Sequence, residues 1–230
     1  AVAQGARTLV LASVWAHNPR PTVLVVAGEE AANRSARALA AWLGNDVVLR
    51  YPERRDYPWS ETAPDDALIG MRCHAIARLA AGEKCVVVAS ARALLRRVPP
   101  VGSGYCMPST FSIGDVVPFE EVPALLVGMG YADTGAADVP GSFHVHGDTV
   151  DIFPAQFSSA VRLEFFGDEI DRIRRMVAAT GQTIGELESV TVVPCRELAL
   201  TAETIRNAEA ALYNRAQENS AIAADLELIQ

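Results

Sequence analysis

Apolar and polar positions follow two different periods along the first hundred residues. Three short runs predict strands, namely "PTVLVVAG", "DVVLRY" and "KCVVVAS". The first and third are almost wholly apolar, which is typical of strands covered on both faces of a sheet. Two longer segments between them have helical spacing, and they end at Gly44 and Gly82. This strand–helix–strand order predicts a parallel sheet with right-handed crossovers.

The pattern changes at residues 98–104, where Pro and Gly cluster as in a linker. Beyond this point "SFHVHGDTVDIFP" and "VRLEFFGDEIDRIRRM" predict two hairpins, each with Gly-Asp at its turn. A helix that tolerates Pro123 early in its length precedes them, and "GELESVTVVPC" predicts one further strand. A third region begins near Arg196 and is strongly helical, with Thr201 as a candidate cap.

These patterns predict an α/β protein in which a parallel-sheet domain is joined to an α+β domain of antiparallel hairpins. The predicted boundaries are 1–99 for the first domain, 100–196 for the second and 197–230 for a helical, truncated third region. The chain lacks an initial Met and stops inside a helical pattern, and we therefore expect a fragment of a longer protein.

The second hairpin carries an unusual outward face. Its core side is formed by alternating apolar residues, whereas the opposite side presents Arg162, Glu164 and Phe166. Arg162 and Phe166 are four residues apart on the predicted strand and hence share a face. Arginine combined with an exposed aromatic ring is typical of protein–protein interfaces.

Composition limits the classes of function. Half of the residues are hydrophobic and 21% are charged, as in folded globular proteins, and the net charge is −8. An acidic chain does not wrap nucleic acid by itself, because phosphate binding needs clustered Lys and Arg. The four cysteines form no CxxC pair, which favours buried free thiols in a reducing cytoplasm over a zinc or redox site. No apolar run reaches the length of a membrane span.

A nucleotide site is the first catalytic hypothesis for a parallel α/β domain. A phosphate loop needs G-x-x-x-x-G-K-[ST], in which glycines let the backbone approach phosphate and Lys binds its oxygens. The corresponding frame here ends in Ala6, Arg7 and Thr8, so both glycines and the lysine are replaced. A plain helix start is the better interpretation, and we predict no catalytic residues.

Two further polar groups have simpler explanations than chemistry. His144 and His146 share a strand face, but no third ligand stands at a telling spacing, so we predict no metal site. Asp168, Glu169 and Asp171 could be an acid–base group, yet Asp is common in tight turns for conformational reasons. The arginines after them indicate a mixed, solvated face or, alternatively, phosphate contacts.

Several stretches together resemble a known family. "FHVHGDTVDIFPA", "VRLEFFGDEIDRIRRM" and "TGQTIGELESVTVVPCRE" are similar to the second domain of UvrB and to the matching domain of the bacterial transcription-repair coupling factor (Mfd). "DYPWSETAPDDALIGMRCHAIARL", "ALLRRVPP" and the eroded phosphate loop resemble the coupling factor specifically. The resemblance implies a degenerate helicase-like α/β domain, an inserted UvrA-binding domain and the start of the returning helicase-like domain.

The resemblance also implies partners and cofactors. This chain would bind UvrA for nucleotide excision repair, without a cofactor of its own, in the cytoplasm. ATP, Mg²⁺, DNA and RNA polymerase would be bound by other parts of the parent, an ATP-dependent DNA translocase. The parent's C-terminal region could mask the UvrA-binding surface. The alternative is a UvrB-like, ATP-dependent helicase subunit of excision repair.

The UvrA-contacting positions of the family can be assigned to this chain only where its residues match those of the family. Arg162 and Phe166 match the arginine and phenylalanine of the family strand R-[LV]-[DE]-x-F. His146, His144 and Asp133 stand where relatives carry Arg. A neutral histidine lacks the fixed charge and the bidentate fork of arginine. The resemblance therefore implies UvrA contacts at Arg162, Phe166, His146 and His144, with weaker or more pH-dependent binding than in an all-Arg relative.

Overall fold

The structure is a computed structural model, and it describes residues 4–54, 65–96, 98, 106–197 and 202–218. The described residues up to Glu197 belong to one compact unit, and those from 202 onward belong to a second. Among the described residues, no helix is both long enough and apolar enough to cross a membrane.

The first domain is a three-stranded parallel sheet with helices on both faces. Its elements are α1 (Arg7–His17), β1 (Thr22–Val26), α2 (Glu29–Leu43), β2 (Val48–Tyr51), α3 (Asp66–Ala80) and β3 (Val86–Ser90). The strand order is β1-β3-β2, and both pairings are parallel, as the sequence pattern predicts. A 3₁₀ turn at Arg92–Leu95 follows β3.

The core of this domain has two layers. Residues of α1 and α2 pack on one face of β3, and residues of α3 pack on the other face. All five residues of β3 are buried, so the prediction of a strand covered on both faces is confirmed there. The same prediction is wrong for β1, because Val23 is 46% exposed and Val25 is 49% exposed. The cluster that α3 forms with β2 and β3 includes no residue of β1, so the face of β1 that carries Val23 and Val25 stays open.

Residues 106–197 of the same compact unit, called the inserted domain after the family resemblance, contain a six-stranded sheet and a small two-stranded sheet. Its elements are β4 (Ser109–Ser112), α4 (Glu121–Gly128), β5 (Ala132–Asp133), β6 (Ser142–His146), β7 (Thr149–Ile152), β8 (Ala160–Phe166), β9 (Glu169–Met176), β10 (Thr183–Leu187) and β11 (Ser189–Val192). The large sheet has the order β10-β9-β8-β7-β6-β5, and β4 pairs with β11. The two predicted antiparallel hairpins are therefore confirmed, as is the fold class.

Each hairpin turns at a glycine. Gly147 and Gly167 have φ angles of 60° and 65°, which side chains with a Cβ rarely adopt. A glycine at the first turn position is the pattern of tight hairpins whose twist matches that of their strands. The prediction of one strand in "GELESVTVVPC" is wrong: β10 and β11 join different sheets and are separated at Glu188.

The inner face of the large sheet carries the core of the inserted domain. Residues of α4 and of the small sheet pack on it, and the cluster includes Val122, Leu126, Phe143, Val150, Ile152, Val161, Leu163, Ile173, Val190 and Val192. Because one face of β6 to β9 is buried this way, the alternation along each strand decides which side chains point outward.

Helix α3 joins the two domains. A Cβ built on Gly70 of this helix would lie 2.3 Å from the Cβ of Ala155 in the inserted domain, so only glycine allows this close approach. Nearby, Arg72 is fully buried and donates to the carboxylate of Glu197, to the carbonyl of Pro52 at 2.8 Å and to the hydroxyl of Tyr51 at 2.6 Å. Contacts at both points fix the inserted domain to α3.

The second compact unit contains one described helix, α5 (Ala202–Glu218), which confirms the helical prediction for the third region. The predicted cap Thr201 lies outside the described residues. All four cysteines are buried free thiols, as predicted.

Candidate partner-binding face of the inserted domain

Strand β8 has one core side and one outer side. Val161, Leu163 and Phe165 are almost fully buried, whereas Phe166 is 84% exposed. The outer side of β8 thus carries Arg162, Glu164 and Phe166 in sequence. An aromatic ring this exposed gains nothing from the core of its own domain, and large exposed apolar side chains are typical anchors of interfaces.

The turn beside Phe166 is held by the core and by a main-chain contact. The carboxylate of Asp168 accepts a hydrogen bond from the backbone N–H of Phe119 at 3.0 Å. The rings of Phe119 and Phe165 meet edge to face, with centroids 5.2 Å apart. Asp168 therefore has a structural role in the turn, which favours the conformational interpretation of this residue over acid–base chemistry.

Arg162 is paired across the strands with Asp151. The two residues stand directly opposite each other in the β7–β8 register. Nε of Arg162 donates to one carboxylate oxygen at 2.6 Å, and Nη2 donates to the other at 2.7 Å. The hydrogen bonds to Asp151 raise the pKa of Arg162 above its ordinary value. The sequence analysis did not identify Asp151 as a site residue, although the alternation with Val150 and Ile152 indicates its outward position.

The two histidines lie on β6, on the same outer face. His144 is opposite Asp151 in the register, and its Nδ1 lies 3.2 Å from a carboxylate oxygen of Asp133. A hydrogen bond from the backbone N–H of Gly135, followed by the contact with His144, lowers the pKa of Asp133. His146 is exposed at the end of the strand. Two of the three residues that stand where relatives are expected to carry Arg, His144 and Asp133, thus contact each other.

The remaining arginines of β9 are accompanied by acids. Nη1 of Arg174 lies 3.3 Å from Glu164, and Nε of Arg172 lies 3.5 Å from Asp171. This arrangement agrees with the interpretation of a mixed, solvated face. Charges on the outer face are therefore largely compensated within the face itself.

Neither a metal centre nor a phosphate loop is assembled by the described residues. Within those residues, no group of three or more His, Cys, Asp or Glu side chains could hold a metal ion. Ala6 ends a 3₁₀ turn, and Arg7 and Thr8 begin α1 without a side-chain cap. These three residues belong to the first domain, and the structure does not bring them to the face that carries Arg162.

Comparison with known proteins identifies the inserted domain. The family described as "UvrB interaction domain" matches residues 110–198. A transcription-repair-coupling factor of Myxococcus xanthus is 35% identical over 213 residues, covering 90% of this chain and 18% of the relative. The coupling factor of Bacillus subtilis is 27% identical over 198 residues, covering 86% of this chain and 17% of the relative.

A second group of relatives is formed by UvrABC system protein B. The protein of Gemmatimonas aurantiaca is 30% identical over 219 residues, covering 90% of this chain and 31% of the relative. The chain thus spans less than a third of the length of these relatives. The inserted domain is a UvrB interaction domain on a helicase-like α/β domain. More particularly, the chain is similar over about 90% of its length to transcription-repair-coupling factors, of which it spans 17–18%.

Proposed function

We propose that this chain is a recruiting module that binds UvrA through the outer face of its inserted domain. The observation that carries the proposal is the exposure of Phe166 on the same outer face of β8 as Arg162, inside the matched UvrB interaction domain. An exposed aromatic anchor and an arginine on one face are the usual composition of an interface hot spot. His144 and His146 extend the same face along β6.

UvrA affinity of single variants tests this proposal. We expect Phe166→Ala and Arg162→Ala each to weaken binding of the cognate UvrA by about 2 kcal/mol or more, which is roughly thirty-fold. Biolayer interferometry with the 230-residue chain and purified UvrA measures this directly. Trp42→Ala is the matched control, because Trp42 is an exposed aromatic on α2 of the first domain. Equal affinity for wild type and both variants would contradict the proposal.

The proposed role of the chain is non-enzymatic. It needs no cofactor, and it would act in the cytoplasm within a longer protein that uses ATP and Mg²⁺ in its motor domains to translocate on DNA and displace RNA polymerase. Segments elsewhere in that protein would contact DNA and polymerase, and its C-terminal region would mask the UvrA-binding face. The names of the coupling-factor relatives support this assignment of the parent.

A second candidate function is favoured by the relatives named UvrABC system protein B. In that case the first domain would bind ATP, and Thr8 would be its remaining phosphate-loop residue. Ala6 and Arg7 argue against this function, since glycine and lysine are needed to cradle phosphates. Titration with ATP separates the two functions, because saturable micromolar binding would favour the second.

A further inference from the structure

Three of the five N–H groups of Arg162 have no hydrogen-bond partner among the described residues, and two of these three lie on one edge of its guanidinium. Asp151 occupies the side edge formed by Nε and Nη2. A guanidinium has five N–H donors in a fixed planar fork, so the end edge formed by Nη1 and Nη2 keeps donors on both nitrogens. The Arg162 side chain is 34% exposed, and that of Asp151 is 17% exposed. The arginine therefore reaches solvent while its carboxylate partner is mostly covered.

The charge of Arg162 is balanced where it stands. Asp151 neutralises it in a bidentate pair, and the neighbouring Glu164 on the same strand is balanced by Arg174. A face of compensated charges exerts little long-range attraction on an acidic partner. A neutral oxygen acceptor, such as a main-chain carbonyl or a side-chain amide, loses nothing from this compensation, because it needs donors in a fixed direction and not a net charge.

We propose that Asp151 is a positioning residue for the partner contact: it fixes Arg162 so that the end edge of the guanidinium binds a neutral oxygen acceptor of UvrA. This inference rests on the proposed function of the face. It reverses the sign that simple electrostatics assigns to Asp151, since removing an acid next to a binding arginine should strengthen attraction to an acidic partner. Asp151 instead supports binding, because a guanidinium held in place loses less side-chain entropy when its partner arrives.

Asp151→Asn tests the inference with a change of charge at nearly constant size. We expect UvrA affinity to fall about five- to ten-fold, since one carboxylate–guanidinium pair no longer orders Arg162. Glu30→Gln is the matched control, because it removes the same charge from an exposed position on α2 and should change affinity by less than about two-fold. Asp151→Asn affinity equal to or tighter than wild type would overturn the inference.

A double-mutant cycle separates positioning from a general effect on the sheet. In an Arg162→Ala background, Asp151→Asn should have almost no further effect on UvrA affinity, because the residue acts through the arginine. A full additive loss in that background would show that Asp151 supports the sheet instead, and would overturn the inference.

Arg162→Lys and salt provide the second measurement. Lysine keeps the charge but has no fork, so we expect Arg162→Lys to bind UvrA nearly as weakly as Arg162→Ala. Raising the salt concentration from about 0.05 M to about 0.3 M should weaken UvrA binding by the wild type only slightly. The salt dependence of UvrA binding by Asp151→Asn should be at least as steep as that of the wild type. Wild-type affinity in Arg162→Lys, or a steep salt dependence of wild type, would contradict the neutral acceptor.

The failure of this inference is distinguishable from failure of the proposed function. If wild type binds UvrA and Phe166→Ala does not, the function stands whatever Asp151→Asn does. If wild type does not bind UvrA, both the proposed function and the role of Asp151 are overturned.

Discussion

Two arginine–carboxylate pairs in this molecule have the same chemistry and opposite surroundings. Arg72 and Glu197 lie in the junction between the first and the inserted domain, and both are buried. Arg162 and Asp151 lie on the outer face of the inserted domain, where the arginine is partly exposed. In the junction, Arg54 also donates to Glu197, and the main-chain carbonyl of Pro52 accepts from Arg72. On the outer face, the end edge of the Arg162 guanidinium stays available. The first pair therefore serves the fold, and the second is suited to binding.

Removing the buried arginine should have the largest effect on stability. In Arg72→Met, the carboxylate of Glu197 would stay in the junction with Arg54 as its remaining cationic partner. Burial raises the pKa of Glu197, but hydrogen bonds and charge from Arg72 and Arg54 outweigh burial and lower it overall. We expect the free energy of unfolding to fall by about 3–5 kcal/mol, measured by urea denaturation.

A surface pair provides the control for this prediction. Arg34→Ala removes one partner of the exposed Arg34–Glu30 pair on α2, and it should cost less than about 0.5 kcal/mol. A loss below about 1 kcal/mol in Arg72→Met would contradict the role assigned to the buried pair, and would mean that the junction is held by packing at Gly70 instead.

The contrast also shows which features could be predicted from sequence. The outward positions of Arg162 and Phe166 follow from alternation within one strand, which is a local property. The partner of Arg162 depends on the β7–β8 register, which is set by the loop between the strands and by the buried face. Arg72 and Glu197 are 125 positions apart, and no periodicity relates them.

The two wrong predictions of secondary structure also concern contacts between segments that are distant in the sequence. β1 has the apolar composition of a covered strand, but the cluster that α3 forms on one face of the sheet includes residues of β2 and β3 and none of β1. The segment from β10 to β11 is a single apolar-rich stretch in sequence, yet β11 pairs with β4, about eighty residues earlier. Neither outcome is encoded in a local pattern. The predicted domain boundaries and contact residues stay predictions.

The comparison between buried and exposed groups extends to two histidines, His74 on α3 and His144 on the outer face. We expect His74 to have the second-largest effect on the free energy of unfolding. His74 lies on α3, where burial, and then the charge of Arg78, lowers its pKa to about 4, with Glu83 opposing. Because the folded-state pKa lies below the ordinary value of 6.5, the folded protein binds fewer protons than the unfolded chain between these values. The stability that neutral His74 contributes is therefore fully present above pH 6.5 and is lost as the pH falls toward 4.

Urea denaturation of wild type and His74→Gln between about pH 7 and pH 4.5 measures this contribution. We expect acid to reduce the stability of wild type by up to about 3 kcal/mol more than that of His74→Gln. His144→Gln, on the exposed face, should behave as wild type in denaturation. Parallel curves for wild type and His74→Gln would show that His74 does not titrate on unfolding.

The pH dependence of UvrA binding expected from His144 and His146 is a separate prediction, tested by affinity between about pH 6 and pH 8.

Of Arg72, His74 and Arg162, we expect Arg162 of the outer pair to have the smallest effect on stability. Cross-strand ion pairs that are partly exposed contribute about 1 kcal/mol or less, because water screens them and ordering the side chains costs entropy. We expect Arg162→Ala to lower the free energy of unfolding by less than about 1 kcal/mol while it weakens UvrA binding about thirty-fold. Denaturation and binding measured on the same preparation test both statements together. A loss of stability near that of Arg72→Met would mean that Arg162 holds the sheet, and the weaker binding could then no longer be assigned to a lost contact with UvrA.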